Sequence, residues 1–259
     1  MTTRTAIILA AGRGSRLMKH TRNRPKCLTK LGGRRLLDWQ LLGLRAAGIQ
    51  DVVLVGGYRA GMLSNVANVD LVENGDWHST GPVASLRCAN PEKFASGFIV
   101  VYGDCVFHPD WISKLSEARE DIAITSDVGW RDLWSLRFDD IYADAERLRH
   151  AAGALVEIGG GACASDDIHG QFTGLLKFTQ RGWASTRSML DTIAPQMTAA
   201  MDMTTLLSHL LAHGATIGVV PIDGRWCEVD SDNDLNVYRK LLRRRSWRHD
   251  WRWQGVGVA

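Results

Sequence analysis

The chain has 259 residues, 45% of them hydrophobic and 23% charged, proportions that exclude a disordered or fibrous protein. The length is at the upper end for a single α/β domain, and no stretch approaches the ~20 uninterrupted apolar residues of a membrane span. The formal charge of +3 is unevenly spread, because seven basic residues and one acid, Asp250, crowd the segment from Arg239 to Arg252.

The first apolar run, Ala6 to Ala10, is preceded only by Arg4, lacks a processing site and leads into glycines. It reads as a core strand and not as a signal peptide, which makes the cytoplasm the expected address. Strands are expected at Thr5–Leu9, Asp51–Val55, Val69–Val72, Gly97–Tyr102 and Asp121–Thr125. Helical patterns separate them at Leu36–Ala47, Pro82–Ala89 and Trp111–Glu117. Such alternation predicts a Rossmann-like α/β fold, a mostly parallel sheet with helices on both faces. Right-handed crossovers then gather the strand C-termini along one ligand-binding edge.

The second half is less regular. Strands are expected at Leu133–Phe138, Ala154–Ile158, Phe172–Phe178 and Thr216–Pro221, the last leading to Trp226–Asp230. Helices are expected at Gly182–Ile193 and at Met203–Ala212, the second capped by Asp202. Ser231-Asp232-Asn233-Asp234 has the form of a capping box for a last helix. One domain accounts for residues 1–259: a nucleotide-binding part over about 1–125, an inserted acceptor-binding part over about 126–235, and a basic tail over 236–259. The five cysteines, Cys27, Cys88, Cys105, Cys163 and Cys227, are odd in number and form no C-x-x-C pair. They read as small buried side chains in a reducing compartment.

The most informative stretch is Leu9-Ala10-Ala11-Gly12-Arg13-Gly14-Ser15-Arg16-Leu17, followed by Arg24-Pro25-Lys26. Small residues after a strand let backbone N–H groups approach an anion closely. Arg13, Arg16 and Lys26 add three positive charges, which makes this a polyphosphate site by electrostatics. A Walker loop fails because no Lys-Ser or Lys-Thr follows Gly14 at the required spacing. A dinucleotide fingerprint fails because Leu17 stands where its third glycine belongs.

These residues resemble the signature of the sugar-phosphate nucleotidyltransferase superfamily. Glu73-Asn74, Ser79-Thr80-Gly81-Pro82 with Ser85, Tyr102-Gly103-Asp104, Gly170 to Gly174, Met201 to Thr204 and Trp226 to Asp230 extend the likeness along nearly the whole chain. Together they are most similar to the bacterial phosphocholine and phosphonate cytidylyltransferases. The resemblance implies CMP transfer from CTP to the phosphate or phosphonate of a small acceptor. It also implies that Asp104 and Asp230 jointly hold Mg²⁺, with Glu228 as competitor for the second place. Two carboxylates suffice for magnesium, which keeps waters and phosphate oxygens in its shell.

A phosphate monoester is already an anionic nucleophile at neutral pH, so the chemistry needs positioning and cations, not an activated side chain. Arg16 and Lys26 are assigned to transition-state charge and Arg13 to the terminal phosphates; Lys26 reaching the acceptor phosphate is the alternative. By resemblance, Gly81 and Ser85 lie against the base, with Ala10, Ala11, Gly12 and Gly14 lining the nucleotide. For the acceptor, Asp127, Trp130 and Trp134 would suit an ammonium group through cation–π attraction, although both tryptophans also read as core. Glu146 and Asp202 are further acceptor candidates, whereas Arg131 and Arg137 would favour an anionic one.

Two other functions compete. One is a UTP-, dTTP- or GTP-dependent sugar-phosphate nucleotidyltransferase. The other is a non-catalytic nucleotide- or RNA-binding protein acting through the tail, where Arg243, Arg244, Arg245, Trp247, Arg248, Trp251, Arg252 and Trp253 interleave. The tail reads instead as a solvated or homo-oligomer-contacting face, and no nucleic acid or membrane partner is expected.

Overall fold

The computed structural model describes residues 3–161, 167–244 and 246–254, so Cys163 and Arg245 lie outside the described residues. The first half contains β1 (Thr5–Ala10), α1 (Met18–Thr21), a short hairpin of β2 (Lys30–Leu31) and β3 (Arg34–Arg35), α2 (Leu36–Ala46), β4 (Asp51–Gly56) and β5 (Asp70–Glu73). It continues through α3 (Pro82–Cys88), β6 (Phe98–Tyr102), β7 (Cys105–Phe107), α4 (Pro109–Glu117) and β8 (Ile122–Asp127). The second half adds α5 (Trp130–Arg137), β9 (Glu146–Ala151), β10 (Ala154–Gly161), β11 (Gln171–Phe178) and α6 (Gln180–Leu190). It ends with α7 (Pro195–Ala200), α8 (Met203–Ala212), β12 (Ile217–Ile222), β13 (Trp226–Glu228) and α9 (Asp232–Leu241).

Nine strands form one sheet in the order β5-β4-β1-β6-β11-β8-β12-β10-β9. Only β11 and β10 run against the common direction, so the sheet is mostly parallel and carries strands from both halves of the chain. A central strand of such a sheet must be apolar on both faces, and β1 meets that demand. Ala6, Ile8 and Ala10 join the core beneath α2, α4, α5 and α9, whereas Ile7 joins the core beneath α3, α6 and α8.

Outside the main sheet, β7 and β13 pair antiparallel, with Glu228 opposite Cys105. The pairing continues as Val229 N–H donates to the Asp104 carbonyl at 3.1 Å. Two aspartates far apart in sequence are thereby set side by side at the sheet edge where β1 and β6 end.

Most expected elements are present, and the caps are as the side chains dictate. Asp202 accepts from Thr205 N–H at 2.7 Å, and Ser231 with Asp234 forms a reciprocal capping box on α9. The expected strand at Leu133–Phe138 is instead helix α5. Trp130, Leu133, Trp134 and Arg137 recur at helical spacing and bury one face. The polar stretch before β10 hides the edge strand β9.

The tail also departs from expectation, because it is folded into the core. Trp251 is fully buried, edge-on to Trp39 at 5.9 Å between ring centroids. His249 is fully buried too. Arg248 pairs with Asp132 at 2.6 Å and with Asp223, while Arg252 pairs with Asp250 at 2.7 Å and donates to the Leu242 carbonyl at 2.9 Å. The tail thus divides by residue type: Trp251 and His249 are buried, whereas Arg239, Lys240, Arg243, Arg244 and Arg248 stay exposed, as expected for a solvated basic run. Among the described residues no helix is long and apolar enough to cross a membrane.

Replacing a large buried aromatic by alanine costs about 3–5 kcal/mol. Trp251→Ala is therefore expected to lower unfolding free energy by that amount in urea titrations. A loss under about 1 kcal/mol would mean that the tail does not belong to the folding unit.

Candidate active site

The turn after β1 is shaped by two constraints. Gly14 has φ +69°, and a Cβ there would stand 2.9 Å from the Lys26 side chain. Glycine therefore supplies both the left-handed conformation and the room for Lys26 to pass. The turn is tied down as Leu17 N–H and the Thr21 hydroxyl both donate to the Gly14 carbonyl, at 3.0 and 2.8 Å. After β6, Gly103 donates to the Leu9 carbonyl at 2.9 Å, and a Cβ there would sit 2.7 Å from that same oxygen. The close approach of these two turns makes the floor of a cleft.

That cleft has a volume of about 300 Å³. Ala10, Ala11, Gly12 and Gly14 line it from the β1 turn, with Arg16 and Lys26 beyond them. Gly81 and Ser85 line the opposite wall, and Asp104 and Asp230 close the end. Arg13, in the same turn, does not line the cleft; its guanidinium lies 5.3 Å from the centre of the Tyr58 ring. Tyr102, Trp77 and Thr80 also line the cleft, although sequence reasoning had not assigned them to the site.

Lys26 Nζ donates to Asp104 Oδ2 at 2.7 Å and to Asp230 Oδ1 at 2.5 Å. Burial by itself would depress the Lys26 ammonium, but the two carboxylates outweigh it and hold the pKa above the usual lysine range. Burial would conversely raise Asp230, and Lys26, Arg16 and Arg137 outweigh that and hold it low. Arg16 lies 3.5 Å from Asp230 and 3.8 Å from Asp144. The donor set around the Lys26 ammonium is all oxygen and converges on one cation. A divalent ion that retains waters and binds phosphate oxygens suits the same donors.

Beneath this cluster lies Arg137, with 1% of its side chain exposed. It donates to Glu228 at 2.6 Å, to Asp234 at 3.1 Å and to Asp230 Oδ2 at 3.3 Å. Asp234 in turn accepts from the backbone N–H groups of Asp230 and Ser231 at 2.8 and 2.9 Å. Arg137 therefore holds the acids from below and is not available to an acceptor. Burial pushes the Glu228 carboxyl up to about 7; Arg137 opposes the rise, and Asp230 and Asp104 add to it.

The structure removes Asp127, Trp130 and Trp134 from the expected acceptor set. Asp127 is fully buried, and its Oδ1 accepts from Gly129 and Gly224 N–H at 2.9 and 3.0 Å. It ends a buried strand and is roofed by those loops and His249, whose Nδ1 is 3.6 Å from Oδ2. Trp130 is fully buried, and Trp134 stacks on Trp226 with centroids 6.5 Å apart. Both fill the core under α5, as their helical spacing allows.

Glu146 and Asp202 lie together in a second recess of about 540 Å³. The Thr204 hydroxyl links them, 3.4 Å from Glu146 and 3.2 Å from Asp202. Burial pushes the Glu146 carboxyl up, with Asp202 adding to it. Tyr102 feels burial first and then Asp104, Asp202 and Glu146, all raising its pKa.

A glycine turn after the first strand of a mostly parallel sheet, cations above it and paired aspartates at its end define a nucleotidyltransferase. The chain belongs to the MobA-like NTP transferase domain family, which it matches over residues 6–175. It is 34% identical to the CTP:phosphoglutamine cytidylyltransferase of Campylobacter jejuni, over 90% of this chain and 98% of that one. It is 43% identical to the choline-phosphate cytidylyltransferase of Streptococcus pneumoniae, over 53% of this chain and 60% of that one. Among solved structures, the inositol-1-phosphate CTP transferase from T. maritima shares the fold with a TM-score of 0.73 at 24% identity, covering 94% of this chain and 96% of that one.

Removing one partner of a buried ionic cluster costs about 3–5 kcal/mol. Arg137→Met is expected to lose that much stability at pH 8. Glu228 binds its proton more tightly when folded than at the ordinary 4.5, so stability falls as pH rises from 4.5 to about 7. Without the guanidinium that slope should steepen, and the deficit should shrink at pH 5. Urea unfolding at both pH values checks this, and an equal deficit at each would refute it.

Proposed function

We propose that the protein transfers CMP from CTP to the phosphate or phosphonate of a small amine-bearing acceptor, releasing pyrophosphate, with Mg²⁺ as cofactor. The observation that carries this reading is the meeting of Lys26, Asp104 and Asp230 at the end of a glycine-turn cleft. In this reading the backbone from Ala10 to Gly14 and the Arg13 guanidinium bind the triphosphate. Arg16 and Lys26 stabilise charge on the α-phosphoryl group and the departing pyrophosphate. Asp104 and Asp230 would hold the metal ion, which supplies positive charge at the phosphates when bound. Glu228 is committed to Arg137, which favours Asp230 over it as the second ligand.

No general base is required, because the acceptor phosphate is already anionic. Orientation then becomes the main demand on the site. Glu146 and Asp202, together in the second recess, suit a cationic nitrogen on the acceptor. The relatives named for phosphoglutamine, choline phosphate and 3-aminopropylphosphonate fit that class. The unpaired cysteines among the described residues, Cys27, Cys88, Cys105 and Cys227, fit a reducing compartment such as the cytoplasm.

Pyrophosphate release measured with CTP, UTP, dTTP and GTP against phosphocholine, 2-aminoethylphosphonate, phosphoglutamine and glucose 1-phosphate tests the proposal. Turnover is expected with CTP and an amine-bearing acceptor; turnover only with UTP and glucose 1-phosphate would replace it with the sugar-phosphate reading. Asp104→Ala should abolish turnover with the fold intact. Lys26→Ala should lower kcat by about a hundredfold or more, as for loss of a preorganised charge contact. Wild-type rates in either variant would remove that residue from the mechanism.

A further inference from the structure

The loop between β5 and α3 carries hydrogen bonds whose directions can be followed atom by atom. Asn74 is buried, and its Oδ1 accepts from Asp76 N–H at 3.1 Å. That contact fixes the amide, so Nδ2 faces the other way and donates to Thr80 Oγ1 and Ser85 Oγ, both at 3.0 Å. An amide nitrogen has two hydrogens and no lone pair to offer, so both hydroxyl oxygens must act as acceptors toward it. Thr80 gives its own proton to the Asp76 carbonyl at 2.9 Å. Among the described residues no acceptor takes the Ser85 proton. Thr80 is left with a free lone pair and Ser85 with a free O–H, and both residues line the nucleotide cleft.

We propose that Asn74 is a positioning residue for base selection, which fixes Ser85 as a donor and Thr80 as an acceptor toward the pyrimidine edge. Cytosine complements that pair: N3 and O2 accept, and the N4 amine donates. Uracil places an N–H at position 3 and a carbonyl at position 4, so both contacts are reversed. A buried site built to hydrogen-bond one group rejects its mismatch strongly, because the protein groups are then left unpaired. The inference rests on the CTP reading given above and adds the residue that enforces the choice of base.

Asn74→Asp keeps the size of the side chain and replaces the two donor hydrogens by acceptor lone pairs. Ser85 must then donate into the carboxylate and show a lone pair to the base. The ratio of kcat/KM for CTP to that for UTP is expected to fall by about tenfold to a hundredfold, while KM for the acceptor stays unchanged. Ser85→Ala should lower the same ratio, and adding it to Asn74→Asp should cost nothing further, because Asn74 acts through Ser85. A purely structural asparagine would lower melting temperature and both nucleotide activities together, leaving the ratio intact. An unchanged ratio in Ser85→Ala overturns the proposal, and that variant decides alone if Asn74→Asp does not fold. Wild-type protein that turns over UTP in place of CTP overturns the cytidylyl reading instead. The role of Asn74 is then still read from whether its variants move the ratio.

Discussion

The ammonium of Lys26 between Asp104 and Asp230 is the contact on which the rest of the site depends. Three charges in a partly buried place would each cost several kcal/mol to desolvate alone. They persist together because Lys26 touches both acids, and because Arg137 holds the other oxygen of Asp230 from below. Asp104, Asp144, Glu228, Asp230 and Asp234 gather around Arg16, Lys26 and Arg137. Negative charge gathered beside an anion-binding turn repels an anionic substrate unless positive charge accompanies it.

The fold supplies this arrangement through register and close approach. Parallel pairing of β1 with β6 ends both strands at the same edge, and Gly103 lets the two following turns touch. The β7–β13 pairing then brings the far C-terminal acid beside Asp104, and the capping box on α9 orients it. Asp234 serves the helix terminus and the active-site turn at once, accepting from Ser231 and Asp230 N–H while paired with Arg137. Stability and function share these residues. The helix α5, which supplies Arg137, is consequently part of the foundation of the site although it contributes nothing to the cleft surface.

The glycine turn and both aspartates were legible in the sequence because each closely follows a strand, whereas Lys26, in a short turn between α1 and β2, was legible from the Arg24-Pro25-Lys26 motif. Local pattern is enough where the chemistry lies at a strand end. Trp130, Trp134 and Arg137 show where it is not enough. An aromatic pair four residues apart has the same spacing whether it faces a ligand or a core, and only the neighbours packed on α5 decide. The tail was read correctly only in part, for a related reason. Its arginines are exposed, but the burial of Trp251 depends on Trp39, remote in sequence. Asn74 stood in a motif, but its function depends on the direction of hydrogen bonds, which no sequence spacing encodes.

Charge is also divided between the two recesses. The β1 turn, Arg16 and Lys26 line the first; Glu146 and Asp202 line the second. A molecule with an anion at one end and a cation at the other gains from both sides only in one orientation. Coulomb interactions across a few ångströms of partly dry protein are stronger than in water, so this polarity can orient the acceptor before any specific hydrogen bond forms. Tyr102, half-buried with its ring 6.0 Å from Phe172, adds an uncharged side chain to the wall of the first recess. In the proposed function, an acceptor without the cationic end would present its phosphate equally well but would leave Glu146 and Asp202 uncompensated, and orientation would then fall to the phosphate contacts alone.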